Sequence, residues 1–427
     1  MEINNIKRIL LKYKKEIPLK IFSRELKLSH LKFDKANIIV GPRKSGKTFF
    51  LYSLLKLEKN PVFVNFEDLL ISDIKKTELM NILDFSKELF GKENLSFFFD
   101  EIQNIDGWEN FIISLLNEHY PIYITGSNSK MLSKEIATAL RGKALTYLML
   151  PLSFKEYLNV RGITLKKDFE YTDKVIEIKK EFLTYLKYGG FPEIILSESL
   201  ELKNRIVSSY FDSVLYKDLV DRLQLKNLKL VEITIKYILN SFGNTFSITS
   251  FENYLKSNKI GYSLEDLYVI LRSIQDVFMA SFVKQYFKSF RKAEFSKSKV
   301  YLFDTSYIKF LTNEPEDHGR ILENIVFIEL FRREGNIENK HIFYYKSDKD
   351  EECDFVILEK DNIKKAIQVA YSFNDKNRER EINGLIKAMD FFKLKEGLIL
   401  TYEQEDELNI EGKKIIIKPV WKWLLGL

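Results

Sequence analysis

Gly41-Pro42-Arg43-Lys44-Ser45-Gly46-Lys47-Thr48 fits G-x-x-x-x-G-K-[ST] at every fixed position. Each fixed residue has a physical task. Gly41 and Gly46 let the backbone curl so that successive N–H groups point inward at phosphate oxygens. Lys47 reaches the β- and γ-phosphates, and the Thr48 hydroxyl ligates Mg²⁺. The helix that opens at Thr48 and runs on from Phe49 adds the positive end of its dipole. All nine residues, Gly41, Pro42, Arg43, Lys44, Ser45, Gly46, Lys47, Thr48 and Phe49, therefore form the expected nucleotide cradle.

The cradle needs an acid partner, and Ser96-Phe97-Phe98-Phe99-Asp100-Glu101 supplies one. A buried strand delivers Asp100 to the edge of a sheet, where with Thr48 it can hold the metal. Glu101 follows and can orient and deprotonate the attacking water. Two adjacent acids point to ATP rather than GTP, and no guanine-reading Asn-Lys-x-Asp follows. The cofactors expected are ATP and Mg²⁺, with Lys47 and Glu101 in the chemistry.

Three further positions are candidates. A later strand ends in Thr125-Gly126-Ser127-Asn128, whose small polar groups can contact the γ-phosphate or its water; the alternative is an ordinary turn. Asn65 ends another strand, and its amide could hold Glu101 in an unproductive pose. Arg141 precedes Gly142 and Lys143. A cation there could reach a neighbouring subunit's γ-phosphate, which would make the protein a homo-oligomer; the alternative is a solvated arginine before a glycine stop.

Elements that could position these groups are visible in the pattern. Apolar runs at 36–40, 61–66, 95–99, 121–125 and 144–150 alternate with helical segments. That rhythm implies βαβ units and a parallel sheet covered on both faces. Residues 153–225 read as helical, broken by Gly189-Gly190-Phe191-Pro192. Helices at 227–242, 249–258 and 263–278, then apolar stretches at 281–287 and 299–303, suggest a winged helix. A helix at 321–333 and strands at 341–345, 353–358 and 365–371 form a separate α/β unit.

The chain has 427 residues, 45% of them hydrophobic, so several domains can each bury a core. One cysteine excludes an internal disulfide framework, and four histidines make a zinc finger a poor fit. No apolar run approaches the ~20 residues that span a bilayer, and the N-terminus has no signal pattern. A cytoplasmic protein without membrane contact is the expectation. The net charge of +6 permits a polyanionic partner without demanding one.

Taken together, the chain resembles the archaeal and bacterial AAA+ ATPases that carry a C-terminal restriction-endonuclease-like domain of unknown function. The resemblance rests on Gly41 to Thr48, Phe98-Phe99-Asp100-Glu101-Ile102-Gln103, Thr125-Gly126-Ser127-Asn128-Ser129-Lys130, Leu140-Arg141-Gly142-Lys143, Pro151-Leu152-Ser153-Phe154-Lys155-Glu156-Tyr157 and Gly189-Gly190-Phe191-Pro192-Glu193. It implies an α/β fold: a P-loop AAA+ core over 1–152, a helical lid over 153–225, a winged helix over 226–312 and a PD-(D/E)xK-like domain over 313–427. It also implies a sensor at Asn128 or Ser127 and a finger at Arg141. The family usually shows Arg-Gly-Arg where this chain has Arg141-Gly142-Lys143. The chain is similar, too, to switch ATPases that hold nucleotide without rapid turnover.

The last domain presents Glu323, Asp354 and Gln368 in nuclease order, with Ala370 where a lysine should stand and Lys364 and Lys365 at the strand's start. A neutral amide and a missing cation argue for a nuclease shape without the chemistry. DNA contact is expected through the C-terminal domain and through the wing, where Lys284, Lys288, Arg291, Lys292, Lys297 and Lys299 outnumber Glu294 and are interleaved with Tyr286, Phe287 and Phe290. The third helix, with Glu265, Asp266 and Asp276 against Arg272, is a poor phosphate face. The resulting expectation is an ATPase that couples hydrolysis to DNA binding, remodelling or translocation. The alternatives are a nucleotide-gated switch or scaffold with a protein partner, and an ATP-dependent nuclease.

Overall fold

The structure is a computed structural model that describes residues 3–15, 21–28, 35–71, 73–127, 138–165, 169, 172–221, 227–294, 296–312, 317–334, 342–359, 362–374 and 377–427. The chain divides into two compact units, Met1–Leu150 and Pro151–Leu427. Among the described residues no helix is long and apolar enough to cross a membrane.

The first unit is built on five parallel strands: β1 (Ala36–Val40), β2 (Asn60–Asn65), β3 (Leu95–Asp100), β4 (Ile122–Gly126) and β5 (Ala144–Leu148). Their order is β2-β3-β4-β1-β5. The expected parallel sheet is therefore present, within a residue or two of the apolar runs that forecast it. Strand β3 is buried along its whole length, because helices cover both faces of the sheet centre and three successive phenylalanines suit that environment. Phe98 stacks on Tyr123 of β4, and Phe99 packs against Phe111 of the helix Trp108–Asn117. The helix Ile3–Lys15 lies against the β2 edge, with Tyr13 edge-on to Phe63.

Strand order fixes the site. Strand β4 lies between β1 and β3, so three C-terminal ends are side by side. Val40 is opposite Gly126, and Phe99 is opposite Ile124. Loops leaving those ends face one crevice.

The second unit begins with helices Phe154–Val160, Lys174–Tyr188, Pro192–Leu196 and Leu200–Ser213. Helices Leu228–Asn240, Ile248–Ser257 and Leu264–Asp276 accompany a three-stranded antiparallel sheet, β6 (Thr245–Phe246), β7 (Ala280–Lys284) and β8 (Ser298–Leu302), in the order β6-β8-β7. A six-stranded mixed sheet follows: β9 (Ile342–Lys346), β10 (Glu352–Glu359), β11 (Asn362–Ala370), β12 (Glu396–Thr401), β13 (Asp406–Ile410) and β14 (Lys413–Pro419). Its order is β13-β14-β12-β11-β10-β9, with helices His318–Glu334 and Arg378–Phe392 against it.

Two segments that carried the resemblance have architectural roles in the structure. Ser153 caps its helix: the Glu156 N–H donates to Ser153 Oγ at 3.1 Å, and the Ser153 N–H donates back to Glu156 Oε2 at 2.9 Å. The Gly-Gly-Phe-Pro turn packs against the same segment. The Leu152 N–H donates to Gly190 O at 2.8 Å, and Tyr185 Oη donates to Leu152 O at 2.8 Å. The turn is also held by Asp304, whose carboxylate accepts from Gly190 N at 2.7 Å. Burial pushes the Asp304 carboxyl up to about 6, against the hydrogen bonds it accepts.

Gly189 has φ +74, and a Cβ there would sit 1.9 Å from Asp304 Oδ1. Gly189→Ala should cost roughly 2 kcal/mol or more, from backbone strain and displacement of a buried carboxylate. Calorimetric melting reads this directly. A variant melting with the parent would show that the turn is slack.

Candidate functional site

The cradle's backbone explains its glycines. Gly46 has φ 97, a left-handed conformation that caps the helix Lys47–Leu55. A Cβ on Gly41 would lie 2.0 Å from the carbonyl oxygen of Met149, the residue that follows β5. The Lys47 side chain is buried and donates to the carbonyls of Gly41 at 3.0 Å and Pro42 at 2.8 Å, so the ammonium lies folded across its own loop. The Ser45 hydroxyl is buried with no hydrogen-bond partner among the described residues. A curled loop with an unpaired donor and a buried cation fits a bound phosphate chain. Arg43 pairs with Glu67 at 2.9 Å. Phe49 is half-exposed on the first turn of the helix, its ring edge-on to Tyr52.

The acid pair stands where sequence spacing put it. Thr48 Oγ1 donates to Asp100 Oδ2 at 2.8 Å. Thr125 Oγ1, from β4, donates to the other Asp100 oxygen. Burial first, and then the Glu101 charge, push the Asp100 carboxyl above its ordinary range; both hydroxyl bonds and Lys47 oppose this. A hydroxyl and a carboxylate in contact at a phosphate cradle are the hard oxygen donors that Mg²⁺ prefers. The residues present therefore fit the metal.

Glu101 adopts a left-handed conformation, φ 53, that turns its side chain out of the strand direction. Its Oε1 lies 4.0 Å from Lys47 Nζ. Its Oε2 accepts from Gln103 Nε2 at 2.5 Å, from Ser127 Oγ at 3.0 Å and from Ser127 N at 3.2 Å. Gln103 and Ser127 thus hold the carboxylate. Asn65, expected to hold it, does not: its Oδ1 accepts the Glu67 N–H at 2.8 Å and closes a local turn. Asparagine at a strand end bonds readily to backbone two residues on, and here that local bond prevails. Asn128 lies outside the described residues.

Arg141 is exposed, with φ 53, in the turn before β5. Strand β5 runs parallel to β1 with Ala144 opposite Ala36, and the Ala36 N–H donates to Lys143 O at 2.9 Å. Arg141 therefore lies where β1 begins, whereas the cradle follows the strand's other end, ~13 Å along at 3.3 Å per residue. It cannot serve the cradle of its own chain without a large rearrangement.

Sequence reasoning missed Arg24. Its Nη1 donates to Ser45 O at 2.7 Å and its Nη2 to Leu150 O at 2.6 Å, so one guanidinium fixes the back of the cradle. No motif marks it, because the contact closes over 21 and 126 residues of chain.

The second unit requires one correction. Lys299, counted above among the wing cations, is buried in β8. Its ammonium lies 2.9 Å from Glu323, 2.7 Å from Glu352 and 2.8 Å from Asp354. Lys284 is tied to Glu294 at 2.5 Å. Lys288, Arg291, Lys292 and Lys297 are exposed, around a short helix, Phe290–Glu294. Gln368, in the second-acid position, accepts from Asp354 N at 3.3 Å and donates to Glu381 Oε2 at 2.6 Å. Ala370 is buried, and Lys364 and Lys365 are exposed on β11.

Residues 33–158 match the model of an AAA domain, and residues 179–318 and 318–423 match two domains of unknown function. The chain is 36% identical over 414 residues to an uncharacterized protein of Methanocaldococcus jannaschii, spanning 95% of this chain and 91% of that protein. It is 26% identical over 401 residues to an uncharacterized protein of Haemophilus influenzae, 92% of this chain and 94% of that one. Among solved structures, a Walker-type ATPase of Pyrococcus abyssi is similar over 69% of this chain and 99% of its own, with a TM-score of 0.43 and 13% identity. Whole-length relatedness and the AAA match over the phosphate cradle lead to one conclusion: the chain belongs to the P-loop AAA-family ATPases, joined to a C-terminal domain of unknown function.

Proposed function

We propose that the protein hydrolyses Mg-ATP and couples the reaction to DNA engagement through the wing. The observation that carries the hydrolytic part is the contact of Thr48 with Asp100 at 2.8 Å, one residue from Glu101. Bound Mg²⁺ would offset charge on the phosphates and on the acid pair. Lys47 exchanges its bonds to the Gly41 and Pro42 carbonyls for phosphate oxygens. Glu101, moved off Gln103 and Ser127, accepts the proton of the attacking water. Arg141, exposed and remote from its own cradle, acts in this reading on a neighbouring subunit's nucleotide.

The DNA part is supported by Lys288, Arg291, Lys292 and Lys297, exposed between β7 and β8 in a segment of three helices and a small sheet that this reading takes as a winged helix. Lys299 and Lys284 drop out of that set. A second reading, a slow nucleotide-gated switch, is favoured by the double hold on Glu101, which keeps its carboxylate occupied. The ATPase rate with and without duplex DNA distinguishes them: strong stimulation supports coupling, and indifference supports the switch.

Lys47→Ala should abolish tight Mg-ATP binding measured by calorimetry; an affinity near that of the parent would dislodge the cradle assignment. Glu101→Gln should bind ATP normally and turn over ~10²–10⁴ slower, the scale of a lost general base. Unchanged turnover would move the base elsewhere. Replacing Lys288, Arg291 and Lys292 by glutamate should weaken duplex binding and reduce the slope of log K against log salt by about 0.9 for each lost phosphate contact. A constant slope would take the wing out of the interface.

A further inference from the structure

Lys299 lies in a strand buried at every position, Ser298 to Leu302, and its side chain is 5% exposed. A lone ammonium so placed would be costly, so its surroundings must compensate. Three carboxylate oxygens from two elements converge on Nζ at 2.7, 2.8 and 2.9 Å: Glu352 and Asp354 from β10, and Glu323 from the helix His318–Glu334. The ammonium donates hydrogen bonds to Glu323 and Asp354 and pairs with the Glu352 carboxylate. The other demands of the acids are also met. Tyr301 Oη donates to Glu323 at 2.5 Å, Val369 N donates to Asp354 Oδ2 at 2.9 Å, and Glu352 is one-third exposed to water.

These acids are the pair that nuclease order singled out, Glu323 and Asp354, plus a third that it did not. A divalent ion would need carboxylate oxygens at about 2.0–2.6 Å around the same focus. Lys299 Nζ occupies that focus, with the three carboxylate oxygens at 2.7, 2.8 and 2.9 Å. The remaining nuclease position, Gln368, has its amide committed to Glu381 and to the Asp354 N–H.

We propose that Lys299 is the resident cation of this acidic centre: it takes the position a divalent ion would need, closes the centre to phosphodiester chemistry, and latches the three-stranded sheet to the six-stranded one. Neighbouring contacts run across the same junction. The Asn324 side chain accepts from Leu302 N at 2.8 Å and donates to Leu302 O at 2.9 Å, so it bonds both backbone groups of the last residue of β8. The Tyr286 N–H, just beyond β7, donates to Tyr344 O of β9 at 2.8 Å. The wing is therefore carried by a strand anchored in the terminal domain, and no swing of the wing alone is open to it. The inference is independent of the nucleotide site.

The test uses the full chain without nucleotide. Lys299→Met leaves three carboxylates without their cation and should lower the melting temperature by on the order of 10 °C. Adding Glu323→Gln and Asp354→Asn to Lys299→Met removes the repulsion and should recover most of that loss, which keeps the test readable if the single variant fails to fold. Millimolar Mn²⁺ should raise the melting temperature of Lys299→Met by several degrees and leave the wild type unmoved. Three results would overturn the proposal: a Lys299→Met protein as stable as the wild type, a neutralised triple variant no more stable than the single one, or equal Mn²⁺ responses. Mn²⁺-dependent DNA cleavage by the wild type that disappears in Lys299→Met would also overturn it, by making the lysine a catalytic residue.

Discussion

The hydrogen bond from Thr48 to Asp100 joins residues 52 apart, and the first unit is organised around making it. Thr48 is presented by the first turn of the helix Lys47–Leu55, after the loop that follows β1, and Asp100 by the end of β3. These strands are not neighbours, because β4 lies between them. The bond therefore requires the strand order, the register that sets Gly126 beside Val40, and a small side chain at the end of β4. Thr125 meets that last need and spends its hydroxyl on the same aspartate. Fill the crevice with a larger side chain, or slip β4 by one residue, and the Thr48 hydroxyl and Asp100 carboxylate separate. The tight approach of Gly41 to Met149 and the grip of Arg24 on Ser45 brace the loop from behind.

Glu101 is subject to a different balance. Its left-handed backbone aims the carboxylate away from the strand axis, where Gln103 and Ser127 take it up. Three hydrogen bonds from two residues hold this buried carboxylate in a resting pose, and the proposed hydrolysis would exchange them for contacts with water. Under the proposed hydrolysis, turnover would be only as fast as that exchange allows, which connects the geometry of one side chain to the choice between motor and switch.

How much of this was legible in the sequence follows from how local each determinant is. The cradle motif is eight contiguous residues that need only a curled backbone, and the structure has that curl at Gly46 and the close approach at Gly41. Asp100 and Glu101 end an apolar run, which locates them on the sheet without any knowledge of strand order. Asn65 misled because its type and position fit a distant role, while a turn two residues away claimed its amide. Arg24 left no trace, since its partners are carbonyls, and any residue supplies a carbonyl. Lys299 was read as a wing cation by composition. The contrary signal was present: it opens the apolar stretch 299–303, and a lysine on a buried strand demands acids nearby. Those acids, Glu323, Glu352 and Asp354, come from the segment read as a separate domain, so the pairing became visible only with the fold. Likewise, the Pro-Leu-Ser-Phe and Gly-Gly-Phe-Pro segments carried the resemblance, yet in the structure they serve as a helix cap and a close-packed turn.

The central claim is that Thr48, Asp100 and Glu101 make the cradle hydrolytic. Single-turnover phosphate release is its most direct test, with protein in excess over radiolabelled ATP, in Mg²⁺ or in EDTA. The account predicts that the bound ATP converts to ADP and phosphate in Mg²⁺ and stays intact in EDTA. ATP bound tightly in Mg²⁺ and recovered intact after many hours would contradict it, leaving a phosphate cradle that holds nucleotide without cleaving it.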